Sequence, residues 1–209
     1  MVPLDIISDP ICPWCYIGKA RLETALTGRE DLFDVRWRTF QLNPEMPAEG
    51  MDRKTYLDAK FGADAAKRFY ARIAQEAEAA GLAVRFDLIN RTPSTIDAHR
   101  LIRWARTDGA QDRVVNALFR KYFEEGEDIS AHAVLLDAAR EADMDPALVE
   151  RLLTGEADRE DVREEDKLSR EMGVTGVPTF IIDGRYVLQG AQDSATWTRV
   201  IDELGAIAQ

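Results

Sequence analysis

The sequence predicts an α/β protein whose sheet is assembled from the two ends of the chain around a long helical insertion. Three observations predict it. The first 49 residues read as strand, helix, strand; from about Asp52 to Gly173 the periodicity is helical almost throughout; and strand character returns only after Gly173. Neither end carries a complete sheet, so the two must meet in space. The expected units are residues 1–49 with 173–209, and an insertion over 50–172.

Residues 3–8, PLDIIS, form a short apolar run that suits a buried strand. CPWCYIGKARLETAL follows, with Ile17, Leu22 and Leu26 at roughly helical spacing. FDVRWRTFQLN, residues 33–43, alternates as a second strand: Phe33, Val35, Trp37 and Thr39 share one face, Arg36, Arg38 and Phe40 the other. In the middle, Phe69, Ile73 and Ala77 recur every four residues. Val115, Leu118, Phe119 and Tyr122 follow the i, i+3, i+4, i+7 pattern, as do Leu135, Ala138, Ala139 and Ala142. Helix starts are expected at Ser94 with Asp97 three residues later, at Ser130, and at Asp145 with Pro146 in the first helical position. The run EADREDVREEDK, 156–167, reads as a solvated helix face. PTFIIDGRYVLQG, 178–190, reads as a hairpin around Asp183-Gly184. A last helix, capped by Asp193, turns Trp197, Val200, Ile201 and Leu204 inward.

Composition narrows the function classes. Hydrophobic residues are 45% and charged residues 31% of the 209, as in a protein with a real core. No apolar run approaches the ~20 residues of a membrane helix, and the start lacks the pattern of a secretory signal. The expected compartment is cytoplasmic, with no membrane partner. A net charge of −11 without a Lys/Arg cluster argues against nucleic acid.

Cys12 and Cys15 are the only cysteines and stand three positions apart. They fall where a strand ends and a helix begins, with Cys12 near the N-cap and Pro13 at N1, a position that tolerates the missing N–H. The free N–H groups and positive dipole end favour negative charge at the Cys12 sulfur, as nucleophilic attack on a disulfide requires. Cys15, one turn on, is placed to resolve the mixed disulfide. The bland alternative is half a zinc site, but zinc needs four ligands. No other cysteine is present, and His99 and His132 are far apart in the helical region, so no metal is expected.

The stretches SDPICPWCYIGKARLE (8–23), NRTPSTIDAHRLIRWA (90–105) and GVTGVPTFIIDGRYVLQGAQ (173–192) together resemble the DsbA family, FrnE-like members in particular. The resemblance spans nearly the whole chain. It implies a thioredoxin fold with a large α-helical insertion and a thiol–disulfide oxidoreductase or isomerase in which Cys12 and Cys15 are catalytic. It further implies a cis Val177–Pro178 bond packed beside Cys12, with Pro13, Trp14, Val177 and Pro178 shaping substrate docking and the Val177 backbone able to pair with a peptide. DsbA itself carries a histidine inside its motif where this chain has Trp14, so a strong oxidant potential does not carry over. No bound cofactor is implied, and glutathione is the available co-substrate. The expected partner is a thiol- or disulfide-containing protein or small molecule, for a monomer or homodimer.

Two rival readings come from the same plan. Kappa-class glutathione transferases and 2-hydroxychromene-2-carboxylate isomerases resemble the chain overall but usually carry serine at the position of Cys12, and need no resolving thiol. A chaperone-like binding module would use an apolar groove lined by Phe69, Trp104, Phe119 and Tyr122, whose spacing suits an ordinary core equally. His99 and Arg100, with Asn90 and Thr92, are candidates for the cleft rather than for catalysis.

Overall fold

The strand β1 (Val2–Ser8) is the spine of the main sheet, pairing in parallel with β2 (Phe33–Thr39) on one side and antiparallel with β5 (Thr179–Ile182) on the other. The computed structural model describes residues 1–207, with residue 63 and residues 205–207 by backbone alone; residues 208 and 209, the end of the expected C-terminal segment, lie outside the described residues. Among them, the main sheet has the order β2-β1-β5-β6, β6 (Tyr186–Gln189) closing the edge. A central strand must bury both faces, and Leu4, Ile6 and Ile7 are all buried.

The helix α1 (Pro13–Ala25) forms the crossover from β1 to β2, and α9 (Ser194–Ile207) packs beside it. Leu22 and Leu26 meet Phe180, Trp197 and Ile201 in the main core, with Phe180 and Trp197 edge to face at 4.8 Å. Asp193 caps α9 through the Thr196 N–H at 2.6 Å, as expected. The hairpin also forms as expected: Asp183 and Gly184 take positive φ, 51° and 66°, which fits the tight twist between β5 and β6.

Between β2 and β5 lie α2 (Arg53–Phe61), α3 (Ala63–Ala79), α4 (Ile96–Ala105), α5 (Gln111–Phe123), α6 (His132–Glu141), α7 (Pro146–Thr154) and α8 (Arg159–Glu171). The helical patterns of α5 and α6 point into the core, where Val115, Leu118, Phe119, Tyr122, Leu135, Ala138 and Ala139 are buried. Asp145 caps α7 by accepting from the Ala147 and Leu148 N–H groups. The insertion is less uniformly helical than its periodicity predicts. A two-stranded ribbon, β3 (Met51–Asp52) with β4 (Arg91–Thr92), ties its start to the middle. No apolar alternation marks such short strands.

Three local expectations need correction. The second strand stops at Thr39 instead of reaching residue 43, because carboxylates replace its ladder: Asp166 accepts the Gln41 N–H at 2.7 Å and Asp9 accepts the Leu42 N–H at 2.7 Å. The starts at Ser94 and Ser130 fall one residue late, on Thr95 and Ala131, neither with a side-chain cap. The Thr95 hydroxyl lies against the Asp9 carboxyl, and Ser130 donates to Asp128. The run 156–167 is solvated on one side only: Val162 and Asp166 are buried, and α8 packs on β2.

Asp166 therefore holds the end of β2, pairing at once with Gln41 and Arg170. Asp166→Ala leaves a buried N–H unsatisfied and is expected to cost about 2–3 kcal/mol of stability, read as a lowered urea midpoint with an unchanged slope.

Candidate active site

Cys12 is the N-cap of α1, with φ −87° and ψ 113°, and Pro13 is the first helical residue. The chain reaches this position through a turn, the Cys12 N–H donating to the Asp9 carbonyl at 2.9 Å. The Cys12 sulfur makes no capping bond to the helix N–H groups; it donates instead to the Val177 carbonyl at 3.5 Å. The Val177–Pro178 bond is cis. Pro178 packs against α1 at Gly18, where an added Cβ would stand 3.0 Å from the proline Cγ. The four positions Cys12, Pro13, Val177 and Pro178 are thus brought together, and Cys12, Pro13 and Val177, with Trp14, line a cavity of about 250 Å³, Pro178 lying behind them against α1.

The two cysteines are both free thiols and differ in setting. Cys15 is 1% exposed and lies under the first turn, while Cys12 is 4% exposed and lines the cavity. Cys12 is nearly buried because the insertion covers it. Burial first, and then the neighbouring Cys12, push the Cys15 thiol well above its ordinary value. Cys15 is thereby kept protonated until a partner draws on it.

The outer wall of the cavity comes from α2 and α3, through Arg53, Tyr56, Lys60, Phe61, Phe69 and Tyr70, with Thr92 and Tyr122 behind. Phe61 and Phe69 stack at 5.3 Å at its mouth, 37% and 38% exposed. Of the expected cleft residues, Thr92 lines the cavity. Asn90 is exposed and lines a neighbouring cavity. His99 and Arg100 do not reach it. Arg100 is fully buried and donates to the carbonyls of Leu152, Gly155 and Ala157, satisfying the end of α7. The four aromatics of the supposed groove do not line one surface. Phe119 and Tyr122 are core, and Trp104 stacks on Arg100 at 4.9 Å. Apart from Phe69, the α2 and α3 residues had no local mark in the sequence, since only the fold brings them over Cys12.

Beneath the motif, Asp9 accepts from the Ile11 and Leu42 N–H groups and lies 3.8 Å from His99 Nε2, which is itself 3.2 Å from the Phe40 carbonyl. Burial pushes the Asp9 carboxyl up to about 7 and the His99 imidazole down to about 4. The two are therefore not an ion pair at neutral pH. They form a buried polar joint between the cysteine turn, the end of β2 and the start of α4.

The DSBA-like thioredoxin domain family matches residues 3–202. The chain is similar in structure to a probable DsbA oxidoreductase from Streptomyces coelicolor, with a TM-score of 0.87, 31% identity, and coverage of 97% of this chain and 89% of that one. It shares its fold with the cytosolic disulfide reductase DsbM from Pseudomonas aeruginosa in a structure with GSH (TM-score 0.67, 21% identity, 97% and 98% covered). The same holds for 2-hydroxychromene-2-carboxylate isomerase (TM-score 0.72, 14% identity, 99% and 96% covered). Among the described residues, no helix is long and apolar enough to cross a membrane.

Two outcomes follow from this geometry. Limited iodoacetamide at neutral pH should label Cys12 before Cys15, and slowly; peptide mapping that finds Cys15 modified first would reverse their roles. The joint also sets opposing pH dependences. Asp9 keeps its proton in the fold up to about 7 but loses it near 3.8 when unfolded, so its contribution falls as pH rises through that window. His99 is neutral in the fold down to about 4 but protonates near 6.5 when unfolded, so its contribution rises with pH up to 6.5. Where the windows overlap the slopes oppose. Between about pH 4.5 and about 6.5, urea midpoints relative to wild type should climb with pH in Asp9→Asn and decline in His99→Gln.

Proposed function

The chain belongs to the DSBA-like thioredoxin domain family, and on that premise we propose that it is a thiol–disulfide oxidoreductase working through the Cys12–Cys15 dithiol. The observation that carries the reading is the unequal pair: one cysteine facing a cavity, the other sealed one turn beneath it with its thiol pushed up. Cys12, as thiolate, attacks one sulfur of a substrate disulfide, the S–S bond breaks, and the leaving thiolate takes a proton. Cys15 then loses its proton and attacks the Cys12 sulfur, expelling the second thiol and closing the Cys12–Cys15 disulfide. Two electrons pass to the substrate, and thiols such as glutathione or a partner dithiol return the protein to its reduced form.

Pro13 and Trp14 form one side of the substrate path in this reading, and Val177 with Pro178 the other. Among the described residues the Val177 N–H donates to no group within the protein, which leaves it open to an added peptide strand. Residues 1–49 and 173–209 carry the chemistry as the thioredoxin-fold unit, and residues 50–172 supply the cover. Neither a metal nor a bound organic cofactor takes part, and the setting we assign is cytoplasmic, where a dithiol is more at home as a catalyst than as a structural staple.

The competing reading, glutathione conjugation or isomerisation, makes opposite demands on the two cysteines, because there the reactive thiol belongs to glutathione. We expect Cys15→Ser to accumulate a covalent adduct on Cys12 with oxidised glutathione, visible by intact mass, and Cys12→Ser to lose insulin reduction altogether. Insulin turnover by Cys12→Ser, or glutathione conjugation of a chloronitrobenzene unaffected by either change, would sink the dithiol reading.

A further inference from the structure

The cavity over Cys12 inverts the charge of the protein around it. The chain carries a net −11, yet Arg53 and Lys60 line this cavity and, among the described residues, no aspartate or glutamate does. The adjoining cavity of about 360 Å³ shares Arg53 and Tyr70 but sets Asp52 and Asp58 against its lysines. Arg53 is 8% exposed, and its partners are neutral. Nη1 donates to Tyr122 Oη at 3.2 Å, and the guanidinium lies over the rings of Tyr70 at 4.8 Å and Phe86 at 5.9 Å. Among the described residues it forms no ion pair. A buried cation held only by neutral groups retains much of its desolvation cost until an anion arrives.

One further donor is unpartnered in the same place, and a second lies behind its wall. Thr92, 2% exposed, lines the cavity, and its hydroxyl has no hydrogen-bond partner among the described residues. Asn43 uses its carbonyl oxygen to accept from Tyr56 Oη at 2.8 Å and Lys60 Nζ at 3.1 Å, while its buried Nδ2 has no partner. Buried polar groups are rarely left so, and a cation beside a spare hydroxyl donor matches the acceptor-only chemistry of a carboxylate.

We propose that this cavity is an anion subsite and that Arg53 is its specificity-determining residue, selecting small disulfides that carry a carboxylate near the sulfur. The inference rests on the dithiol reading above and names its substrate class. The planar guanidinium suits two-point pairing with a carboxylate, Thr92 supplies a further donor, and Lys60 stands nearer the mouth. The stacked Phe61 and Phe69 cover the apolar stem between acid and sulfur. The volume, about 250 Å³, lies just below the usual range of drug-sized ligand pockets and suits a small acid.

In the step concerned, one disulfide RSSR and the reduced protein become two RSH and the Cys12–Cys15 disulfide, so a single turnover needs no added reductant. The test follows that turnover with three disulfides of like core and different ends: dithiodipropionate (anionic), hydroxyethyl disulfide (neutral) and cystamine (cationic). Each rate is divided by the rate of the same disulfide with free mercaptoethanol. The anionic compound should react about tenfold faster than the neutral one, the scale of one charge-assisted hydrogen bond, and cystamine slowest. Arg53→Gln should bring the anionic-to-neutral ratio close to one. Lys60→Gln and Thr92→Val, which spare the Arg53 stacking, should each lower it in part and keep the test available if Arg53→Gln fails to fold. Equal normalised rates in the wild type, or a ratio unchanged by these substitutions, would overturn the anion subsite while leaving the dithiol chemistry standing. Oxidation of the wild type by none of the three would overturn both.

Discussion

The antiparallel ladder between β1 and β5 is the contact on which the rest of the structure depends. It pairs Leu4 with Ile182 and Ile7 with Thr179, joining the two ends of the chain across the whole insertion. β1 leads into Cys12 and β5 begins one residue after Pro178, so the same ladder sets the cysteine turn beside the Val177 carbonyl. Closing so long a loop costs conformational entropy, though the cost grows only with the logarithm of its length. Burial of Leu4, Ile6, Phe180 and Ile182 against α1 and α9 offsets that cost.

Around this ladder, buried acidic and basic side chains do what regular backbone pairing leaves undone. Asp9 and Asp166 take the N–H groups of Leu42 and Gln41 where β2 gives out, and Arg100 takes the carbonyls at the end of α7. Each is a carboxyl or guanidinium group with several hydrogen-bond positions, able to serve backbone groups from more than one segment. The turn that carries Cys12, the end of β2 and the insertion helices α4 and α8 are thereby locked together. This explains why His99 and Arg100 sit in a recognisable motif without touching the cavity. They hold its frame.

The cover over Cys12 differs in kind. Its wall is aromatic and cationic, and its inner donors, Arg53 and Thr92, lack acidic partners. Elsewhere the cations are commonly paired, as Lys19 is with Asp112 and Arg38 with Asp5. The contrast separates groups that stabilise the fold from groups whose partner must come from outside the chain.

How much of this was legible in the sequence follows the range of the forces involved. The cysteine turn, Pro13 at N1, the Asp145 and Asp193 caps, the hairpin at Asp183-Gly184 and the periodic faces of α5 and α6 are set by neighbours within a few residues, and the sequence by itself determined them. The same holds for the division of the sheet between the two ends, because strand patterns appear nowhere long enough elsewhere. What only the tertiary structure decided is where long-range partners meet. Those are the end of β2 at Thr39 and the ribbon of β3 and β4. They are also the burial of Cys12 under α2 and α3, and the arrival of Arg53 and Thr92 above it. A local pattern records a residue's own preference for helix, strand or interior. It holds no record of which distant side chain will share its cavity, since that depends on a packing in which every element takes part.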